Sequence, residues 1–143
     1  SRPAYVHYIV YVSAAVHPFS KPELLALLKN AREKNQRLGI TGLLLYKDGD
    51  FIQLLEGERA AVQALYSTIC KDPRHAGTIV LVAGEANQRL FSDWSMGFRD
   101  LSDPEVQATP GFSQFMNQSW SAQRFVDDPN GCLELLALFK PQF

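Results

Sequence analysis

The amino-acid sequence predicts an α+β fold: a mostly antiparallel sheet with two helices on one face and a helical cap on the other. Three observations carry that expectation. Strand-like apolar segments and segments with apolar residues at helical spacing follow one another in the order strand, helix, strand, strand, helix, strand. An Asp48-Gly49 pair between two apolar runs supplies the chemistry of a tight hairpin turn. A breaker-rich C-terminal stretch still carries Phe112, Phe115, Met116 and Trp120, which need an apolar surface to pack on.

Taken in order, residues 4–13 (AYVHYIVYVS) are rich in Val, Ile and Tyr without a helical period, and read as a strand. Ser20 and Glu23 have capping-box spacing around Pro22, and Leu24, Leu27, Leu28 and Ala31 then repeat at helical spacing, so a helix is expected to end near Asn35. Residues 39–46 and 50–57 form the hairpin strands. From Glu58 to Lys71 a second helix places Ala61, Val62, Leu65 and Ile69 on one face, and Asp72-Pro73 stops it because proline cannot continue the hydrogen-bond ladder. A fourth strand is expected at 78–83, a polar loop at 84–93, and a fifth strand at Trp94–Phe98, where large apolar residues alternate.

This is the ferredoxin-like βαββαβ order plus a fifth strand, in which strands one and three lie side by side. Within 104–120 a short helix is expected, and Asp128-Pro129 should cap a last helix carrying Leu133, Leu136 and Ala137 on one face. These two helices would cover the sheet face left open by the first two. The division is then 1–103 for the sheet domain and 104–143 for a helical extension packed on it.

With 143 residues, 46% hydrophobic and 20% charged, the chain fits one globular domain. Lys and Arg number 14 against 15 Asp and Glu, the formal charge is −1, and no run of five like charges occurs, which argues against direct nucleic-acid binding or an acidic-lipid anchor. The longest apolar stretches are strand-length and the N-terminus lacks the pattern of a signal peptide, so a cytoplasmic protein without membrane spans is expected. Cys70 and Cys132 lie far apart with neither a C-x-x-C nor a nearby histidine pair, which reads as buried, reduced thiols and no metal site.

Period-two alternation puts Tyr5, His7, Ile9, Tyr11 and Ser13 on one side of the first strand and Val6, Tyr8, Val10 and Val12 on the other. On the third strand Phe51, Gln53 and Leu55 share a face, so an uncharged amide sits between large apolar side chains. Unpaired, it would cost about 1–3 kcal/mol, so something must offer it hydrogen bonds. Asn35 extends the apolar stripe of Leu24, Leu28 and Ala31. Tyr11, Gln53 and Asn35 thus converge as neutral donors and acceptors in an apolar setting suited to a flat heteroaromatic ligand. Each residue also has a plainer reading: Tyr11 as a satisfied core tyrosine, Asn35 as a helix C-cap, Gln53 as paired with backbone.

The motifs Tyr11-Val-Ser13, Asn35 ahead of Gly39-Ile-Thr-Gly42-Leu-Leu, Phe51-Ile-Gln53-Leu-Leu-Glu56-Gly57, Asp72-Pro-Arg74-His75 and Trp94-Ser-Met96 together resemble the BLUF family, over roughly residues 4–101. The resemblance implies a blue-light photoreceptor that holds a flavin non-covalently between the two helices, usually FAD, with FMN or riboflavin as alternatives. By that resemblance Asn35 bonds the pyrimidine edge, Gln53 stands between the Tyr11 phenol and the flavin N5/O4 edge, and Asp72, Arg74 and His75 line the ribityl or phosphate side. A solvated loop is the plainer reading of Arg74 and His75, since no glycine-rich phosphate cradle is present. Lys34 stands at a position that varies among relatives, where it stacks over the ring or reaches solvent, and Ala31 falls where some relatives carry a serine.

In similar domains light moves an electron and then a proton from the tyrosine, and recombination leaves altered hydrogen bonds around the glutamine. Its amide has donor and acceptor ends, so rotation or tautomerisation changes what faces flavin O4. Trp94 and Met96, on one face of the fifth strand, would relay the change to the tail helices, the alternative being that both are ordinary core residues. The resemblance implies a sensor rather than an enzyme, acting through a separate downstream signalling protein or a homo-oligomer. A ferredoxin-like flavin-dependent enzyme and a ligand-free interaction module are the rivals. The first lacks paired carboxylates, a Ser-His-Asp order or a cysteine nucleophile with a nearby histidine.

Overall fold

The computed structural model describes residues 5–140. Its sheet has five strands, β1 (Val6–Ala15), β2 (Thr41–Lys47), β3 (Asp50–Gly57), β4 (His75–Ala86) and β5 (Gly97–Asp100), in the order β4-β1-β3-β2-β5. β1 runs antiparallel to both β3 and β4, β2 antiparallel to β3, and β5 parallel to β2. Helices α1 (Lys21–Leu38) and α2 (Arg59–Cys70) provide the crossovers. The expected α+β sheet, with β1 and β3 at its centre, is the one found.

Local chemistry explains the boundaries. At the start of α1 the Ser20 hydroxyl accepts from the Glu23 amide at 3.3 Å while the Glu23 carboxylate accepts from the Ser20 amide at 3.0 Å. The helix runs past Asn35 to Leu38 because Gly39, at φ 66°, takes the left-handed conformation that closes it. Asp48 and Gly49 both have positive φ, 50° and 91°, which matches the twist of the β2–β3 hairpin. Among the described residues β1 runs from Val6 to Ala15, two residues past the expected end at Ser13; the expected start at Ala4 lies outside the described residues. β4 is longer than the expected 78–83. Two register shifts against β1 let it continue through alanine and glycine positions that carry no apolar period.

The fifth strand departs from expectation. Trp94–Met96 are not in it. The Trp94 amide donates to Phe91 O at 3.0 Å and its carbonyl accepts from Gly42 N at 3.0 Å, so the segment turns before the four-residue β5 begins at Gly97. The alternation of large residues reflects this turn. It sends Trp94 to one side of the sheet, against Phe91 at 5.9 Å between ring centroids, and Met96 to the other, so the expected shared face does not exist.

Two cores flank the sheet, as the alternation on β1 requires. Ile9, Tyr11, Leu44, Phe51 and Leu55 pack beneath α1 and α2 with Leu24, Leu28, Val62, Leu65 and Met96. On the opposite face Val10, Leu43, Leu45, Ile52 and Leu54 meet the tail. That tail holds four short helices rather than two: α3 (Pro104–Gln107), α4 (Phe112–Met116), α5 (Ala122–Asp127) and α6 (Pro129–Ala137). The Asp128 side chain caps α6 by accepting from Gly131 N at 3.1 Å. Phe115 anchors the group, with ring centroids 4.6 Å from Trp120 and 4.9 Å from Phe139. Cys132 is buried here, whereas Cys70, expected buried, is exposed at the end of α2; both thiols are free. No helix among the described residues is long and apolar enough to cross a membrane.

Candidate functional site

Tyr11 and Gln53 are Cα partners across the β1–β3 ladder, and both side chains point to the α1/α2 face. They are buried, at 3% and 7% exposure, as is Asn35 at 2%. The Tyr11 hydroxyl donates to Gln53 Oε1. Gln53 Nε2 donates to Met96 Sδ at 3.3 Å. Its second N–H, the acceptor lone pairs of the phenol and the π-faces around it remain for a ligand.

A cavity of about 320 Å³ opens above this pair between the two helices. Leu27, Leu44, Phe51, Leu65 and Ile69 give it apolar walls, and Lys34, Asn35, Asp72, Arg74 and His75 complete its rim. Seven of the nine residues singled out in the sequence therefore line one space. The other two do not: Met96 stands behind Gln53 as its hydrogen-bond acceptor, and Trp94 belongs to the core on the far side of the sheet.

Asn35 is an interior helix residue rather than the C-cap, which is Gly39. Its Nδ2 donates to Ser95 O at 2.8 Å, leaving the amide oxygen and one N–H for a second partner. At the rim, Arg74 pairs with Asp72 through Nη2 at 2.6 Å and Nε at 3.0 Å, and His75 Nε2 donates to Ile69 O at 2.6 Å. Hydrogen bonding from Arg74 holds the Asp72 carboxyl below its ordinary range. Lys34 makes no ion pair among the described residues.

Burial pushes the Tyr11 phenol well above its ordinary value, and Tyr66, Cys70 and Asp72 push the same way. Tyr66 meets Tyr11 edge-on at 5.3 Å between centroids and is itself pushed up to about 12, first by burial and then by Cys70. Tyr11 is thus a neutral hydrogen-bond donor throughout the physiological range.

Sequence reasoning missed several wall residues. Asn30 and Thr68 offer polar groups one turn from residues that were recognised, a signal available from helical periodicity. Outside the wall, Ser95 and Arg32 make contacts that depend on the turn before β5, and their partners gave no sequence signal.

A family profile described as sensors of blue-light using FAD matches residues 6–97. The chain belongs to the BLUF family. It is therefore a member of a family of flavin-binding blue-light sensors. Among curated relatives, photoactivated adenylate cyclase subunit beta of Euglena gracilis is 36% identical over 89 residues, which is 62% of this chain and 10% of that protein. The blue light- and temperature-regulated antirepressor BluF of Escherichia coli is 37% identical over 84 residues, 59% of this chain and 20% of that protein. This chain thus spans a small part of the curated relatives it matches. Of solved structures, the dark state of the BLUF protein BlrB superposes with a TM-score of 0.75 at 26% identity, covering 95% of this chain and 98% of that one. The likeness therefore extends through the tail helices, beyond the residues that the family profile covers.

The residues fit a flavin. An apolar slot in the size range of small-ligand pockets, with two neutral amides and a phenol converging on it, suits a flat uncharged ring that carries hydrogen-bonding atoms along one edge.

Proposed function

We propose that this chain is a blue-light sensor module, not an enzyme, in which Tyr11 and Gln53 act as a hydrogen-bond switch on a flavin bound in the α1/α2 cavity. The observation that carries the reading is the chain of contacts from Tyr11 Oη through the Gln53 amide to Met96 Sδ, buried at the floor of that cavity. The bound flavin supplies absorption of blue light and transient electron acceptance. The chain's residues do the rest. Tyr11 gives up and regains its phenolic proton, held neutral at rest by burial. Gln53 turns or tautomerises, so that its donor and acceptor ends exchange partners. Asn35 holds the ring edge with the free half of its amide, and Leu27, Leu44 and Ile69 exclude water.

For the cofactor we infer FAD, with FMN and riboflavin admitted by the same cavity. Arg74 and His75 stand on the phosphate side but already have partners in Asp72 and Ile69, which leaves Lys34 as the cation to meet a phosphate. Residues 1–103 form the flavin-binding part and 104–143 the extension that passes the change on, with Met96 as the first relay. Output goes to a separate signalling protein or to an interface between copies, in the cytoplasm. One exchanged neutral hydrogen bond is worth about 0.5–1.5 kcal/mol, and about 1.4 kcal/mol is tenfold in an equilibrium, so the receiving assembly must be finely poised.

The test is optical. Purified protein should be yellow and show a reversible red shift under blue light, while Gln53→Leu keeps its flavin and loses the shift, as does Tyr11→Phe. A red shift surviving in Gln53→Leu overturns the reading, and a colourless wild-type preparation favours the ligand-free module.

A further inference from the structure

We propose that Arg32 is a positioning residue that sets the lifetime of the light-induced state by holding the backbone of Met96. The inference rests on the switch reading above. Arg32 and Asn35, three residues apart on one face of α1, donate to consecutive carbonyls: Arg32 Nε to Met96 O and Asn35 Nδ2 to Ser95 O, both at 2.8 Å. The Met96 side chain is buried, its sulfur accepts from Gln53 at 3.3 Å, and its methyl group occupies the space beside Gly42 where a Cβ would come within 3.3 Å of it. Residue 96 is therefore held at two points, by α1 at its peptide oxygen and by β3 at its sulfur.

The two contacts are unequal. A thioether is a weak acceptor, whereas a guanidinium bond to a carbonyl is charge-assisted and roughly twice as strong as a neutral one. When the Gln53 amide changes its orientation, the sulfur contact is the one given up. Arg32 then keeps the peptide in place, and the sulfur stays where the returning amide needs it. Arg32 is absent from the cavity wall and opens instead onto a crevice beside Trp94 and Arg99. Its loss should leave the flavin bound. The rest of the segment has its own anchors, in Gly42 N to Trp94 O at 3.0 Å and Arg99 over the Trp94 ring at 5.2 Å.

In the flavin-loaded full chain, after a blue flash, Arg32→Ala should recover its dark spectrum about tenfold more slowly than wild type, a change of about 1.4 kcal/mol. The size of the shift and the flavin content should be unchanged. Arg32→Lys restores a donor to Met96 O and should recover most of the rate, and Arg37→Ala, on the exposed last turn of the same helix, should match wild type. A second reading needs no flavin: amide hydrogen exchange at Gly97 and Phe98 should quicken in Arg32→Ala. Recovery in Arg32→Ala within about twofold of wild type, with the red shift present, overturns this role while the switch reading stands. Absence of any shift in wild type removes both.

Discussion

Tyr11 carries a consequence for pH that is separate from light. Burial raises its phenol above the ordinary value of 10.0, and Tyr66 is raised to about 12. Below pH 10.0 both the folded and the unfolded chain keep these protons, so the groups leave stability unchanged. Above it the unfolded chain ionises first, and folding stability falls as the pH rises towards the folded values. Denaturant midpoints for the flavin-free chain should therefore drop between pH 10.0 and about 12. Tyr11→Phe should flatten part of that fall and leave the part that Tyr66 contributes. An unchanged slope in Tyr11→Phe would show that the phenol titrates alike in the folded and the unfolded chain.

The loop ahead of β5 is fixed by Glu56, a residue 2% exposed near the end of β3. It accepts from Thr41 Oγ1 at 2.7 Å, Leu90 N at 2.7 Å and Phe91 N at 2.8 Å. Glu56→Ala strips two backbone N–H groups of their acceptor and should destabilise the chain by roughly 1–3 kcal/mol in chemical denaturation, with Glu56→Gln milder because one oxygen remains. The same loop marks the limit of what the sequence discloses. The capping box at Ser20 and the turn at Asp48-Gly49 are local chemistry, and both elements appear where that chemistry puts them. Gln53 and Asn35 stood out because an amide on an apolar stripe demands a partner. β5 was misplaced because parallel pairing with β2 is a distant contact, and because the alternation of Trp94, Met96 and Phe98 imitates a strand while arising from a turn. Arg32 looks like any surface arginine until its carbonyl partner is in view.

At the scale of the molecule the sheet separates two cores that differ in task. The α1/α2 side carries the cavity floored by Tyr11 and Gln53; the tail side buries Phe115, Phe125, Leu136 and Phe139 and leaves an open cleft beside Val12, Ile52 and Trp120. Phe115→Ala should therefore lower stability by about 3–5 kcal/mol, measured by thermal or denaturant unfolding, while the colour and the size of the red shift in the folded fraction stay as in wild type. A changed shift in that folded fraction would show that the tail side tunes the flavin side directly.

The partition between the two sides is a single layer of peptide. Val12 and Ile52, which face the tail core, are the chain neighbours of Tyr11 and Gln53 and are Cα partners of one another in the same ladder. A colour screen confined to the residues that enclose the ligand would overlook them. Engineers seeking faster or slower variants have a second set of positions on the reverse of the sheet, one peptide away from the switch pair and out of reach of the dye.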